Sequence, residues 1–149
     1  MIKIKIGDGH LRIPQGTRPS GELHLHYLLL KDHTKTRAVV HVHPTHVVAA
    51  MDRGFDLPKL CTQFTEIHCY TRVGASVPFL PAVRTILGEA TAVALGVSTF
   101  NPVGYYDIVG KAHHGVCSTY SDPWTPHDHE HIERLDHFCE IALNCVGAH

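Results

Sequence analysis

Residues 38–44 form the segment AVVHVHP. Its β-branched and apolar residues predict a buried strand, which the final proline ends because it donates no backbone hydrogen bond. Successive residues of a strand leave opposite faces, so the two histidines share one face and Val40 and Val42 take the other. We expect both valines to pack into a core. The imidazoles of His41 and His43, with Cα atoms about 6–7 Å apart, can converge on one metal ion; the alternative is a half-buried pair that hydrogen-bonds to its neighbours.

A further pair of histidines lies in the segment DIVGKAHHG at residues 107–115. This segment predicts a strand that runs into a tight glycine position, where the missing side chain allows close backbone approach beside a ligand. Only one of His113 and His114 can join the first two histidines, because adjacent strand residues face opposite ways. Three histidines with an open position are the ligand set of a catalytic zinc site.

The remaining elements predict a sheet covered by helices on both faces, because strands and helices alternate irregularly along the chain. A hairpin turns at Gly7-Asp8-Gly9, and a final helix begins at Pro126, with an apolar face at helical period. Further helices are predicted over residues 21–31, 45–53, 58–63 and 84–95, and strands over 66–71, 106–111 and 115–119.

Length and composition predict one domain of ordinary globular type, with 149 residues of which 44% are apolar. The formal charge of −1 gives no electrostatic case for nucleic acid or an anionic membrane. No apolar run approaches the roughly 18–20 residues of a membrane span, and the first ten residues are not typical of a signal peptide. Five cysteines without a CxxC pair favour a reducing cytoplasm.

Histidine is unusually abundant, at fifteen residues, so chance His-x-His pairs are expected and spacing alone proves little. The series His127, His129 and His131 falls at a helix start, where residues two apart diverge, and we expect a solvated face there rather than a second metal site. Two carboxylates are candidates for chemistry. Glu22 ends the loop PSGE at residues 19–22 and could instead stabilise a helix N-terminus; Glu66 opens a predicted strand and could equally be a surface charge.

Three motifs in order resemble the class II aldolase and adducin family: PSGE at 19–22, AVVHVHP at 38–44 and HHGV at 113–116. The likeness runs from about Pro19 to Leu143 and includes TEIHCY at 65–70 and GEATAVAL at 88–95. Within the family it is greatest for the rhamnulose-phosphate aldolase branch, with the fuculose-phosphate branch next. The resemblance implies a three-layer α/β/α sandwich with a largely antiparallel central sheet, assembled as a fourfold homotetramer.

The resemblance also implies roles for particular residues. The metal ligands would be His41, His43 and His114, holding one zinc ion per subunit or another divalent metal. Glu22 would be the general acid/base beside the metal, and Glu66 a second carboxylate that acts on the aldehyde half of the substrate from an adjacent subunit. Ser20 and the backbone at Gly21 would help to hold the substrate phosphate. A Schiff-base mechanism would need a desolvated lysine, and no lysine stands out in the sequence.

The function implied is a metal-dependent aldolase that cleaves a ketose 1-phosphate to dihydroxyacetone phosphate and a short aldehyde. Two alternatives are a sugar-phosphate dehydratase of the methylthioribulose-phosphate type and a non-catalytic, adducin-like module. The sequence departs from the family pattern at its start, since only eighteen residues precede Pro19 and the Gly-Asn turn that cradles phosphate is missing from them. We therefore expect residues 1–149 to form one domain without the family's N-terminal segment, or to act on a substrate without the usual phosphate.

Overall fold

A computed structural model describes residues 5–7, 10–32, 37–77, 106–120 and 126–146. The helix predicted over 84–95 lies outside these residues. Within the described ranges, no helix is long and apolar enough to cross a membrane. All five cysteines are free, and three of them are buried.

Within the described residues, six strands form two sheets. Strands β1 (Lys5–Gly7) and β2 (His10–Arg12) make the expected antiparallel hairpin. The other four form one sheet in the order β3-β6-β5-β4; its bounds are β3 Ala38–Val42, β4 Val73–Val77, β5 Ile108–Lys111 and β6 Gly115–Tyr120. The pairs β3–β6 and β5–β6 are antiparallel, and β4–β5 is parallel. The sheet is therefore mixed but largely antiparallel.

Five helices are described. They are α1 Leu23–Asp32, α2 Thr45–Asp52, α3 Leu57–Cys61, α4 Thr65–His68 and α5 Pro126–Val146. Gly54 follows α2 at φ +80°, a left-handed conformation that glycine adopts without strain and that ends the helix. Asp56 begins α3, since its carboxylate accepts a hydrogen bond from the Lys59 amide at 3.1 Å.

Two hydrophobic cores lie on opposite faces of the large sheet. Ile108 and Val116 pack into one core with α2, α3, α4 and α5, whereas Val109 and Cys117 pack into the other with α1. Neighbouring residues of a strand thus enter different cores, as alternation requires. The arrangement is the expected three-layer α/β/α sandwich.

The expected packing of the two valines of β3 is wrong for Val42. This side chain is 37% exposed, and Val40 is half-buried. The reason is that β3 stands outermost of the four described strands, with Val42 at its end. A short run of β-branched residues predicts the strand but not its place in the sheet.

The strand predicted over residues 66–71 is also wrong, because Thr65–His68 is a helical turn and the strand comes later, as β4. Burial follows a spacing of three to four residues: Ile67 and Thr71 are buried, while Cys69 between them is exposed. Phe64, just before the turn, stacks on Phe138 of α5 with ring centroids 4.2 Å apart. Packing against α5 overrides the strand preference of the β-branched and aromatic residues.

The start of α5 differs from the expected solvated face. His131 is only 6% exposed, and its Nδ1 lies 2.5 Å from the Thr71 hydroxyl. A buried imidazole needs such a partner, because an unpaired polar group in a core is costly. His131 is therefore part of the packing between α5 and the segment before β4; the side chains of His127 and His129 lie outside the described residues.

Helix α2 is capped by a residue of another helix. Pro44 occupies its N-cap position and makes no side-chain cap. Asp136 of α5 supplies one instead: its Oδ1 accepts from the amides of His46 at 2.9 Å and Val47 at 3.1 Å, and its Oδ2 lies 2.8 Å from His46 Nδ1. Because α2 directly follows β3, this contact fixes the chain just beyond the two histidines of that strand.

We expect Asp136→Ala to lower the free energy of unfolding by about 1–2 kcal/mol, since it leaves the first amides of α2 without their acceptor. Urea denaturation followed by circular dichroism measures this. Glu133→Ala is the matched control, because Glu133 is an exposed acid on the same helix and should change stability by less than about 0.5 kcal/mol. Equal loss in both variants would contradict the capping role.

The interaction of His46 with Asp136 makes the stability difference between wild type and Asp136→Ala depend on pH. The hydrogen bond to Asp136 raises the pKa of His46 above its ordinary 6.5. A raised histidine pKa contributes stability fully at a pH below 6.5 and loses it as the pH rises through the folded-state pKa. The stability gap between wild type and Asp136→Ala should therefore narrow from pH 5.5 to pH 8.5; a gap that widens would contradict the assignment.

Candidate metal centre

The pairing of β3 with β6 brings the histidines of two distant segments together. In register, His41 faces Cys117 and Val42 faces Val116, so the end of β3 lies beside the start of β6. His114 is in the turn between β5 and β6, and its amide donates to the Lys111 carbonyl at 3.0 Å. Of the residues described, only His41, His43 and His114 form a close group of three or more potential ligands.

The geometry of this group suits one small cation. The ligand atoms of the three imidazoles all lie within 4.8 Å of one another, and the Nε2 atoms of His41 and His114 are 3.1 Å apart. Two nitrogens that each bind one tetrahedral zinc ion at about 2.0–2.1 Å are roughly 3.3 Å apart. The histidines could therefore hold a zinc-sized ion with little rearrangement.

The hydrogen bond of His41 fixes which of its ring nitrogens is available. Its Nδ1 donates to the Val116 carbonyl at 2.8 Å, so the lone pair is on Nε2, which faces His114. Burial lowers the pKa of His41 to about 4, and the charges of Lys111 and His114 act in the same direction. Burial also lowers the pKa of His114. Both rings are therefore neutral near pH 7, the form that binds metals.

Gly115 is required by the close approach of the two strands. A Cβ at this position would lie 2.4 Å from the Val42 carbonyl oxygen and 2.5 Å from Cδ2 of His43. Any side chain would push the end of β3, and the His43 ring with it, away from the turn. The glycine expected to allow close backbone approach beside the site does so.

The turn brings His114, rather than His113, close to the other two histidines. His113 adopts φ +56°, uncommon for a residue with a side chain, and its Nδ1 lies 2.7 Å from a carboxylate oxygen of Asp52 at the end of α2. The His113 ring is thus directed to α2, whereas His114 joins the other two histidines. Both rings are placed by a turn rather than by strand alternation.

Glu22 lies immediately before α1, beside the histidines, and is paired with Lys111. The distance from Lys111 Nζ to Glu22 Oε2 is 2.9 Å. Burial alone would raise the pKa of Glu22, but the hydrogen bond and charge of Lys111, together with the charges of His41 and His114, lower it overall. Glu22 is therefore held as a carboxylate next to the cluster.

The expectation that no lysine stands out is wrong. Lys111 has no exposed surface, and lysine is almost never fully buried unless it is paired. The sequence carried one signal of this, since Lys111 lies between two small residues, Gly110 and Ala112, at the end of the predicted strand 106–111. Its partner, 89 residues earlier, could not be identified from the sequence.

The other candidate residues, Ser20, Gly21 and Glu66, lie outside the histidine group. The Ser20 hydroxyl accepts from the Glu22 amide at 3.2 Å, and the Ser20 carbonyl accepts from the Leu23 amide at 3.2 Å, so Ser20 shapes the turn that carries Glu22. Ser20 and Gly21 are both exposed. Glu66 is exposed on α4, whose Ile67 packs into the core on the far side of the sheet from α1. Within one chain, the structure does not bring Glu66 into the histidine group.

A groove of about 380 Å³ opens beside His43, between the end of β3 and α5. Val42, Pro44 and Ile132 give it an apolar lining. Its polar lining from α5 is Glu133, Asp136, His137 and Glu140. Three carboxylates make this groove unfavourable for a phosphate group, because like charges repel.

Comparison with known families agrees with this geometry. The family model described as the class II aldolase and adducin N-terminal domain matches residues 1–143. The chain belongs to this family.

Solved structures of three sugar-phosphate aldolases share the fold. An L-fuculose 1-phosphate aldolase superposes with a TM-score of 0.66 at 17% identity, over 93% of this chain and 60% of its own. A sugar-phosphate aldolase from Thermotoga maritima gives 0.64 at 21%, over 92% and 58%. The L-fuculose-1-phosphate aldolase from Thermus thermophilus gives 0.63 at 20%, over 89% and 63%.

The chain thus spans about 60% of the length of these structural relatives. No curated protein matches its sequence. At sequence identities of 17–21% the structural likeness establishes the fold and not the activity.

We expect the purified chain to bind about one divalent ion and His43→Ala to lose most of it, because two remaining imidazoles hold zinc much less tightly than three. Elemental analysis after gel filtration measures the metal content. His68→Ala is the control, since His68 is an exposed histidine on α4. Equal metal content in wild type and His43→Ala would show that the ion binds elsewhere.

Proposed function

We propose that this protein is a zinc-dependent class II aldolase that cleaves a ketose 1-phosphate to dihydroxyacetone phosphate and a short aldehyde. The observation that carries the proposal is the convergence of His41, His43 and His114 beside the ionised Glu22. Family membership supports the same reaction class. Five free cysteines are consistent with work in a reducing cytoplasm.

The three histidines would hold the ion, and their neutral form and converging nitrogens fit zinc. When bound, a divalent ion supplies Lewis acidity to a substrate carbonyl oxygen. The chain's own contribution at this point is orientation. The bond from His41 Nδ1 to the Val116 carbonyl fixes one ring, and the tight contact at Gly115 holds His43 close to the turn that carries His114.

Glu22 would move the proton. Cleavage breaks the C3–C4 bond of the ketose, and the C4 hydroxyl loses a proton as C3 gains one, so the net change is a proton transfer between the two halves. A carboxylate held beside the cluster can accept and return a proton within hydrogen-bond reach. The pairing with Lys111 keeps Glu22 ionised, which is the form required to accept.

The phosphate would lie on the side of Ser20 and Gly21, not in the groove beside His43. Ser20 and Gly21 are exposed at the turn before α1, and helix N-termini attract anions. The carboxylates of α5 make the groove repulsive to phosphate. Because the Glu22 amide already donates to Ser20, this turn has few donors left for a phosphate, and we expect dihydroxyacetone phosphate to bind weakly to the chain in calorimetric titration.

Glu66 would serve a neighbouring subunit in a homotetramer. Its exposed position on α4 leaves it available to a second copy, and closed cyclic assembly is common among soluble enzymes. In that arrangement Glu66 would act on the aldehyde half of the substrate, while Glu22 carries the proton between the two halves.

A panel of ketose 1-phosphates incubated with the zinc-loaded protein tests the function. We expect stoichiometric dihydroxyacetone phosphate and aldehyde from at least one sugar, detected by coupled reduction and mass spectrometry. Loss of one water from the substrate with no cleavage would instead indicate a dehydratase. No turnover of any sugar by a metal-loaded protein would favour an adducin-like module and contradict the proposal.

Glu22→Gln should reduce turnover by about 10²-fold or more, the usual scale for general acid–base catalysis, while keeping the metal and the fold. Steady-state kinetics, elemental analysis and circular dichroism measure the three properties. Glu133→Gln is the control, because it neutralises an exposed acid on α5. Unchanged turnover in Glu22→Gln would exclude the proton-transfer role.

The shared site predicts complementation between two inactive variants. Glu66→Gln and His43→Ala should each have low activity alone, whereas a mixture re-assembled from both should recover part of it, because some sites then combine an intact Glu66 with an intact histidine cluster. Activity of the mixture against the two homomers is the measurement. A fully active monomer by light scattering would rule out a shared site.

A further inference from the structure

Lys111 is a buried cation with one defined acidic partner. Its side chain is fully buried, and its Nζ lies 2.9 Å from Oε2 of Glu22, whose side chain is 20% exposed. Moving an ammonium ion out of water is costly unless an opposite charge compensates. The Glu22 carboxylate supplies that opposite charge to Lys111.

The backbone of Lys111 holds the turn that carries His114. Lys111 is the last residue of β5 and is in register with Gly115 of β6. Its carbonyl accepts from the His114 amide at 3.0 Å. One residue thus contacts the candidate ligand through its main chain and the candidate proton carrier through its side chain.

Other titratable groups interact electrostatically with Glu22. The charges of Lys111, His41 and His114 act on the pKa of Glu22. The charge of Glu22 acts in turn on the pKa of His26 of α1 and on that of Cys117 of β6. Lys111 differs from these other groups in its geometry, because its fully buried Nζ forms an ion pair with Glu22 Oε2 at 2.9 Å.

We propose that Lys111 is a positioning residue for Glu22, whose carboxylate it fixes through Oε2 beside the histidine cluster. The ion pair between Lys111 and Glu22 does not depend on the activity of the protein, whereas the role of the pair in turnover rests on the proposed function. Two effects follow. Rotation of the Glu22 carboxylate is restricted, and its ionised form is favoured over the neutral acid.

Removing the ammonium group separates these effects from simple packing. Lys111→Met keeps an unbranched, apolar side chain of similar length, so the buried volume is nearly conserved. It leaves Glu22 with the desolvation that raises its pKa but without the charge that lowers it most. Lys59→Met is the matched control, since Lys59 is an exposed lysine on α3.

The measurement is the titration of the Glu22 side-chain carboxyl carbon by 13C NMR in the full chain, with the signal assigned by its loss in Glu22→Gln. In wild type we expect a midpoint below the ordinary 4.5. In Lys111→Met the midpoint should rise by about one pH unit or more, the scale of a nearby opposite charge. The acidic limb of the kcat profile should move in the same direction, which a purely structural lysine would not cause.

A second variant covers the case in which Lys111→Met folds poorly. The double variant Lys111→Met/Glu22→Gln removes both charges, so its urea midpoint should exceed that of Lys111→Met, because no unpaired buried charge remains. If Lys111→Met leaves the Glu22 midpoint unchanged, or the double variant is less stable than the single, the positioning role is wrong. A shifted midpoint in a protein that cleaves no ketose phosphate would overturn the proposed function and support the tie between Lys111 and Glu22.

Discussion

The site depends on the antiparallel pairing of β3 with β6. This register places His41 opposite Cys117 and brings the end of β3 against Gly115 so closely that a Cβ there would touch the Val42 carbonyl. Two segments more than 70 residues apart in sequence thereby contribute to one cluster of imidazoles. The helices on either face hold the pairing in place, and Asp136 fixes the chain where it leaves β3.

The charge states of the histidine cluster and Glu22 follow from their position between the sheet and α1. Burial keeps His41 and His114 neutral, while Glu22 stays ionised because Lys111 lies against it. The site needs neutral imidazoles as metal ligands and an ionised carboxylate as base, although burial alone disfavours the charged form of both kinds of group. The charge of Lys111 favours the neutral form of His41 and His114 and the ionised form of Glu22.

Local patterns in the sequence were sufficient for part of this architecture. The period of two in AVVHVHP predicts β3 and the shared face of His41 and His43, and the glycine after His114 predicts the close approach. Properties that depend on distant partners could not be predicted. The turn at Thr65–His68 forms because Phe64 and Ile67 pack against α5. Val42 is exposed because β3 is the outermost of the described strands. The role of Lys111 depends on its ion pair with Glu22, which is distant in sequence.

We propose that three imidazole nitrogens of this chain hold one divalent ion beside Glu22. X-ray absorption at the zinc edge, recorded for the loaded protein and for His43→Ala, measures the ligands of that ion. In the wild type we expect three imidazole nitrogens and light oxygen ligands at about 2.0–2.2 Å, with loss of imidazole scattering in the variant. A sulfur shell at about 2.3 Å, or identical spectra for the two proteins, would contradict it.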